Sequence, residues 1–374
     1  MDKSFLIFLA IPVFFLMIGI ELLYGYLKNK NNYRLNDTIT SINIGLLSRF
    51  PTILNLGLQG AAFAYAASYL NMKLLPTNSV FTWVFAFFLY DFLYYWMHRF
   101  HHEYKFLWAT HVVHHHGEDF NLATALRQTS TGFLWKWIFY LPMFMIGVPA
   151  SVFVTVAGLN LIYQFWVHTE HIGKLGWFEK IFITPSNHRI HHARNPEYID
   201  ANYGGVFILW DRIFGTYIEE KDDLKPIYGT AKPLNSWNPL WANIEVFYSM
   251  LKDSYHTKKP IDKLKVWFSK TNWRPEDVKR KFPNNAKLDN LYNPIASKKL
   301  KAFAFLQFIM LSPLSMSIYF TITTQTFLAT SLFGCFILLS CLITSQALSN
   351  KNSALDWELF LSLIHISEPT RQFA

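Results

Sequence analysis

Long apolar segments restrict the fold of this 374-residue chain more than any other feature of its sequence. A membrane-spanning helix needs about 20 mostly apolar residues. Several segments reach or approach that length: 5–27, 42–70, 80–97, 303–320 and 327–347, together with a longer one at 132–168. Only 16% of the residues are charged, against roughly 25% in soluble domains. The sequence therefore predicts an all-α, multi-pass helical membrane protein.

Two of these segments contain helix-breaking residues. Arg49 and Pro51 interrupt segment 42–70, which is therefore expected to enter the membrane late or with a kink. Segment 132–168 is too long for one span and has Pro142, Gly147 and Pro149 near its middle. It is predicted to form a membrane hairpin that crosses outward and returns to the same face.

The positions of the positive residues predict the orientation. Lys28, Lys30 and Arg34 follow the first span, and Arg99 and Lys105 follow the third. Because Lys and Arg are enriched in cytoplasmic loops, the N-terminus is expected outside and the far end of each of these spans on the cytoplasmic side. The membrane would be a bacterial inner membrane or, in a eukaryote, the endoplasmic reticulum. The same rule accounts for the net charge of +9, so no nucleic-acid partner is expected.

The chain is expected to divide into five regions. They are N-terminal spans at 1–79, a catalytic region with the hairpin at 80–219, a polar cytoplasmic segment at 220–301, C-terminal spans at 302–348 and an unusual tail at 361–371. The tail, LSLIHISEPTR, resembles the translation of a common sequencing adapter. If the tail is adapter sequence, the natural C-terminus is missing. Alternatively, the tail is the start of a truncated last membrane span.

Histidines are concentrated at the ends of the predicted spans. Residues three or four apart share one face of a helix, and eight histidines follow that spacing in three groups: His98 and His102; His111, His114 and His115; His188, His191 and His192. Nitrogen ligands suit iron, zinc, copper or nickel, and one structural zinc takes about four of them. The sequence therefore predicts a site for two metals that faces the cytoplasm and is capped by the polar segment.

Four further histidines lie close to these groups. His168, at the end of the predicted hairpin, is expected to be a ninth ligand, and His171 either a tenth ligand or a residue just outside the ligand set. His101 and His116 do not share the faces of the paired histidines. They are expected not to bind metal.

Acidic and polar residues near the histidines are candidates for supporting roles. A metal-bound imidazole usually donates its second N–H to a carboxylate or a carbonyl, and a carboxylate inside a membrane span is costly without a partner. Asp91 and Glu103 are the leading candidates for this role and, through it, for a part in catalysis. The next candidates are Glu170 and Asp119 as acceptors, and Asn121 and Arg127 as ligands for a polar head group.

The three histidine groups resemble a known family. HRFHH, HVVHH and HRIHH look like the histidine boxes of the fatty acid hydroxylase and sterol desaturase superfamily, over roughly residues 81–219. That resemblance implies a di-iron membrane oxidoreductase that uses O2 to hydroxylate or desaturate a membrane lipid. Zinc can replace iron in purified protein, because it binds nitrogen sites more tightly than ferrous iron.

A narrower resemblance is to the alkylglycerol monooxygenase family. It rests on HRFHHE, FWVHTEHIGKLGWFEKIF, NPEYIDANYGG and YGTAKPLNSWNP. The resemblance implies cleavage of ether lipids through hydroxylation of the carbon beside the ether oxygen. It also implies tetrahydrobiopterin as reductant, although no residue here is identified as its binding site; a redox protein is the alternative electron donor.

Three other functions compete with this interpretation. A fatty acid hydroxylase or a lipid desaturase of the same superfamily would use the same metal site. A zinc-dependent membrane hydrolase would use an activated water and neither O2 nor a reductant. A metal transporter would place its histidines in the middle of the membrane, whereas here they lie at the ends of spans.

Overall fold

A computed structural model of the protein describes residues 3–54, 59–76, 79–283, 291–321 and 324–367. In these ranges the backbone forms helices joined by loops, and β-pairing is limited to isolated bridges. The α-helices are α1 (Lys3–Leu27), α2 (Leu35–Leu47), α3 (Phe50–Ile53), α4 (Gln59–Tyr69), α5 (Val80–Glu103), α6 (Lys105–His115), α7 (Leu122–Ala125), α8 (Leu141–Ile146), α9 (Ala150–Trp166), α10 (Pro185–His191), α11 (Leu209–Ile213), α12 (Pro239–His256), α13 (Pro260–Phe268), α14 (Glu276–Lys281), α15 (Lys298–Thr321), α16 (Phe327–Leu348) and α17 (Ser353–Ser367).

Within the described residues, four helices are long and apolar enough to cross a membrane: α1 from Ala10, α5, α15 and α16. The predicted spans at 5–27, 80–97, 303–320 and 327–347 are thus confirmed as helices of sufficient length and hydropathy. Helix α5 continues to Glu103, six residues beyond the predicted end of its span. His98 and His102 therefore lie on the same rigid helix that spans the apolar layer.

The predicted span at 42–70 is wrong as a single element. The segment is divided among α2, α3 and α4, and residues 55–58 lie outside the described residues. Arg49 falls at the break between α2 and α3, and Pro51 lies in the first turn of α3, where proline is tolerated. Helix α2 buries Asp37, Thr40 and Asn43 against α7, α15 and α16. Because its polar residues need protein partners and not lipid, α2 lies inside the helical bundle.

Segment 132–168 does reverse direction near its middle. A short 3-10 helix (Lys136–Tyr140) leads into α8, and α9 follows after a turn at Gly147, whose φ of +106° lies in the left-handed region that favours glycine. The two apolar legs, Lys136–Ile146 and Ala150–Trp166, are both shorter than a full span. Buried side chains including Met97, Tyr140, Phe144 and Phe153 pack α5, α8 and α9 into one core.

The region from Gly173 to Lys301 covers the ends of α5 and α6. It contains α10 and α11, which lie in loops close to α5, and α12 and α13, which pack against α6. Val266 of α13 and Met250 of α12 enclose Ala109 of α6. The last part of α17 includes residues 361–367 of the adapter-like tail, and residues 368–371 lie outside the described residues.

Candidate metal centre

Nine buried histidines meet in two adjacent clusters. Within each cluster the potential ligand atoms all lie within 4.8 Å of one another. One cluster contains His98, His102, His111, His115 and His191, and the other contains His114, His168, His188 and His192. The structure thus brings together all eight histidines of the three spaced groups and the predicted ninth, His168.

Local sequence explains how four separate segments present these side chains. Tyr104 is extended between α5 and α6, so the chain turns there and faces the second histidine group towards the first. Helix α10 begins at Pro185 after Thr184, which forms a capping box with Asn187. This well-defined start fixes the orientation of His188 in the first turn and of His191 and His192 about one turn later.

Backbone carbonyls, and not carboxylates, accept the second N–H of four of these imidazoles. The Nδ1 atoms lie 2.8 Å from Tyr203 O for His98, 2.9 Å from Arg127 O for His114, 2.8 Å from Gln164 O for His168 and 3.0 Å from Ala201 O for His191. Each of these Nδ1 atoms is therefore the protonated nitrogen. The Nε2 lone pair is left facing the cluster, as a metal ligand requires.

The spacing of the Nε2 atoms fits a shared cation. Those of His98 and His111 lie 2.9 Å apart, those of His111 and His115 3.1 Å, those of His114 and His168 3.2 Å, and those of His168 and His188 2.9 Å. Two nitrogens, each about 2.1 Å from one metal ion and about 90° apart, are separated by about 3.0 Å. Buried Nε2 atoms of His102, His191 and His192 have no hydrogen-bond partner among the described residues. The donor set therefore fits two nitrogen-ligated transition metals.

Burial also keeps these histidines in the form that binds metal. It lowers the pKa of His168 to about 3 and that of His191 to about 4. It likewise lowers the pKa values of His111 and His192, with the charges of neighbouring histidines adding to the effect. At neutral pH these imidazoles are uncharged, and no proton has to leave before a metal binds.

Comparisons with known proteins agree with this site. Residues 83–216 match the sequence model of the family described as Fatty acid hydroxylase. The alkylglycerol monooxygenase of Danio rerio is 36% identical over 94% of this chain and 79% of its own length, and that of Homo sapiens is 37% identical over 81% and 68%. The ornithine lipid hydroxylase OlsE of Rhizobium tropici is 27% identical over 33% of this chain and 38% of its own length. No solved structure shows a significant match.

The chain belongs to the alkylglycerol monooxygenase family. The resemblance predicted from the histidine boxes and their surrounding motifs is therefore confirmed. Members of this family and of the wider fatty acid hydroxylase family are oxygenases, so the protein is an enzyme of that class. Its two histidine clusters lie within the segment that matches the family, residues 83–216.

In this member of the alkylglycerol monooxygenase family, Asp91 is buried, but its carboxylate contacts none of the cluster histidines. Its Oδ1 accepts hydrogen bonds from Asn160 and from the backbone N–H of Val206, and its Oδ2 accepts from Phe207 N and Trp210 Nε1. The expected direct role is thus corrected. Asp91 instead fixes the loop after Tyr203, whose carbonyl accepts the N–H of His98.

Glu103 also has a different role from the one expected. Its carboxylate pairs with Arg99, at 2.7 Å one helical turn away, and with Lys270. The backbone carbonyl of Glu103 accepts a hydrogen bond from Thr271. Glu103 therefore joins the end of α5 to the segment after α13 and reaches no histidine of the clusters. Any effect on His102 passes through the position of α5.

Three further histidines near the site, His101, His116 and His171, lie outside both clusters. His171, predicted as a tenth ligand or a neighbouring residue, packs edge-on against Tyr24 of α1, with ring centroids 5.1 Å apart. The His101 Nδ1 lies 2.6 Å from the carbonyl of Met97 in its own helix, and His116 is the C-cap residue that directly follows α6. Their exclusion agrees with the prediction made from helical spacing, whereas His171 does not join the ligand set.

The other predicted supporting residues lie away from the cluster histidines. Asp119 accepts hydrogen bonds from Arg34 Nε at 2.8 Å and Arg34 N at 2.9 Å, and Glu170 is exposed. The Asn121 side chain accepts from Ala123 N and so caps α7. None of these groups reaches a cluster histidine by a described contact.

Arg127 is enclosed and cannot serve a head group. Its guanidinium donates to Val113 O at 2.8 Å and to Ser41 Oγ at 3.3 Å, and lies 3.9 Å from Asp37. The contribution of Arg127 to the site is its backbone carbonyl, which accepts the N–H of His114.

A cavity of about 310 Å³ opens beside the clusters. His111, His114 and His168 form part of its wall, and aromatic and aliphatic side chains from α1, α5, α9 and the segment 132–140 form much of the rest. Its remaining walls include polar and positively charged residues: Ser48, Arg49, Gln128, Thr129, Ser130, Lys136, Asn160 and Gln164. The cavity has the mixed lining that a lipid with a small polar end requires.

Lys136 and Arg49 are cavity residues that the sequence analysis did not identify as site residues. Both are half-buried, and neither side chain has a hydrogen-bond or ion-pair partner among the described residues. Other enclosed cations are paired: Arg127 with Asp37, Arg189 with Glu220 and Arg274 with Asp253. The available signal was one lysine inside the apolar segment 133–146, where an ionisable residue is costly and suggests a function.

Proposed function

We propose that this protein hydroxylates the alkyl chain of an ether lipid at the carbon beside the ether oxygen, using O2, two iron ions and reduced tetrahydrobiopterin. One observation carries the proposal: histidines of both adjacent clusters line the same cavity, whose wall is apolar in one part and polar in another. The family supports oxygenase chemistry, and the name of its members, alkylglycerol monooxygenase, supports an alkylglycerol as substrate.

The two clusters would hold the metal pair, which supplies the oxidising chemistry when bound. The protein's own contribution is orientation. Carbonyls of Tyr203, Arg127, Gln164 and Ala201 fix four imidazole rings, and the cavity excludes bulk water from the lipid chain. Lys136 and Arg49 donate to the polar end of the lipid, which leaves the adjacent alkyl carbon beside His111 and His114.

The reaction is tested by supplying an alkylglycerol, O2 and a reduced pterin to the purified, iron-loaded protein. The expected product is a fatty aldehyde, because a carbon that carries both a hydroxyl and an ether oxygen is a hemiacetal and collapses. A stable hydroxylated fatty acid or a new double bond without aldehyde would indicate the fatty acid hydroxylase or desaturase branch. Turnover without O2 by zinc-loaded protein would indicate the hydrolase.

Lys136→Met is expected to weaken binding of the alkylglycerol. A hydrogen bond to a charged group contributes about 1.5–3 kcal/mol, so KM should rise about tenfold or more, with a smaller change in kcat. Lys174→Met removes a lysine that pairs with Asp222 on the surface, and serves as the control. Equal KM values for the two variants would contradict a role for Lys136 in holding the lipid.

The cytoplasmic orientation of the site is part of the proposal. Positive residues after α1 and at the end of α5 support it. Reporter fusions at residues 30, 105, 175 and 260 are expected to give a cytoplasmic signal. An external signal at 105 or 175 would reverse the orientation while leaving the metal chemistry unaffected.

A further inference from the structure

We infer that α12 and α13 form a membrane-docking surface that lies in the head-group layer of the bilayer. Five large apolar or aromatic residues on α12 are exposed and recur every three or four positions, on one face: Leu240, Ile244, Tyr248, Leu251 and Tyr255. Three more follow on α13: Ile261, Leu264 and Phe268. The sequence alone assigned this region to a polar cytoplasmic segment.

The apolar residues are exposed although both helices pack firmly against the rest of the protein through their opposite faces. The opposite side of α12 buries Ala242, Glu245 and Met250, and α13 buries Val266. Helix α12 packs against α6 and the membrane span α16, and α13 packs against α6. Each helix thus has one face fixed to the protein and one apolar face that remains largely exposed. Such a contiguous patch usually marks an interaction site.

The surroundings of the face identify the bilayer as its partner. Phe268, at the end of α13, belongs to an aromatic group with Phe106 and Trp135. The ring centroid of Phe106 lies 6.1 Å from that of Phe268 and 4.3 Å from that of Trp135. Leu134 and Ile138, beside Trp135, are exposed at the start of the apolar hairpin. The apolar face is therefore continuous with the surface that the hairpin presents to lipid.

Positive charge borders the same face. Lys252, Lys258, Lys259, Lys263 and Lys265 are all exposed, and none forms an ion pair with a described residue. An amphipathic helix with apolar residues on one side and lysines beside them binds anionic lipid surfaces. Two copies of this face would instead bring lysines together, which disfavours a dimer.

The test uses the full-length protein in lipid nanodiscs. The two natural cysteines, Cys335 and Cys341, are replaced by alanine, and one cysteine is introduced by Leu251→Cys or Leu264→Cys and labelled with a fluorophore. Glu276→Cys, on the polar helix α14 of the same region, is the control. Lipids with brominated chains are expected to quench the first two labels and not the control, and aqueous iodide is expected to do the reverse.

Two other outcomes would overturn the inference. Labels at 251 and 264 that iodide quenches as strongly as the control would mean that the face lies in water. Labels shielded from both quenchers would mean that a second copy or another protein covers the face.

The role of the lysines is tested with a triple variant that carries Lys258→Gln, Lys259→Gln and Lys263→Gln. Quenching by brominated lipid should increase with anionic phospholipid in the parent protein and lose that dependence in the triple variant; a dependence that persists would contradict the role of these charges.

Discussion

Replacing His168 with alanine is expected to remove one metal and to abolish oxygenase activity. His168 belongs to the cluster with fewer nitrogens, and its Nε2 lies 3.2 Å from that of His114 and 2.9 Å from that of His188. Removing a residue that only hydrogen-bonds to a metal ligand already lowers metal affinity or activity by about 10–100-fold. Removing a ligand itself should therefore reduce turnover by more than about 100-fold. Metal content per chain and aldehyde formation are the two measurements.

His101→Ala is the matched control for this variant. His101 is as buried as His168 and also comes from the histidine-rich region, but it lies in neither cluster. It should retain both metals and activity above that of His168→Ala. Loss of metal in the His101 variant to the same extent would show that the ligand set is assigned incorrectly.

Asp91→Ala is expected to have the largest effect on stability. The variant leaves four buried donors without an acceptor: two backbone N–H groups, the Trp210 indole and the Asn160 amide. An unsatisfied buried donor costs about 1–3 kcal/mol, so the free energy of unfolding should fall by about 4 kcal/mol or more. The loop that carries Tyr203 would lose its attachment to α5, and metal binding through His98 should weaken as a consequence.

Thermal unfolding and metal content in detergent measure the effect of Asp91→Ala. Asp223→Ala, which removes an exposed carboxylate, is the control and should unfold like the parent protein. Asp91→Asn should fall between them, since an amide oxygen can accept part of the network. Equal unfolding temperatures for Asp91→Ala and Asp223→Ala would show that the buried carboxylate does not hold the loop.

The metal site could be predicted from sequence because its signal is local. Ligands three and four residues apart on one helix, as at His111, His114 and His115, are visible without any knowledge of tertiary structure. His168 was identified because the predicted hairpin returns to the face from which it starts. The same local argument included His171, which the structure turns towards α1.

The supporting groups could not be predicted because their partners are distant in the chain. Asp91 accepts from residues 69 to 119 positions away, and Glu103 pairs with Lys270, 167 positions away. The apolar segment 42–70 begins within α2, and the burial of α2 inside the bundle depends on distant partners of its polar residues, such as Arg127 for Asp37, which local sequence does not reveal. Lys136 stood out in the sequence as a lone lysine in an apolar segment, but only the structure shows that it lines the cavity beside the clusters.

The carbonyls that orient His98 and His191 have a consequence for how the enzyme is made. Tyr203 and Ala201 follow every one of the nine cluster histidines in the chain. During translation, a nascent chain can therefore carry a full set of ligands before two of them are held in place. Metal insertion should be completed only after the hairpin has entered the membrane and residues 201–203 have left the ribosome.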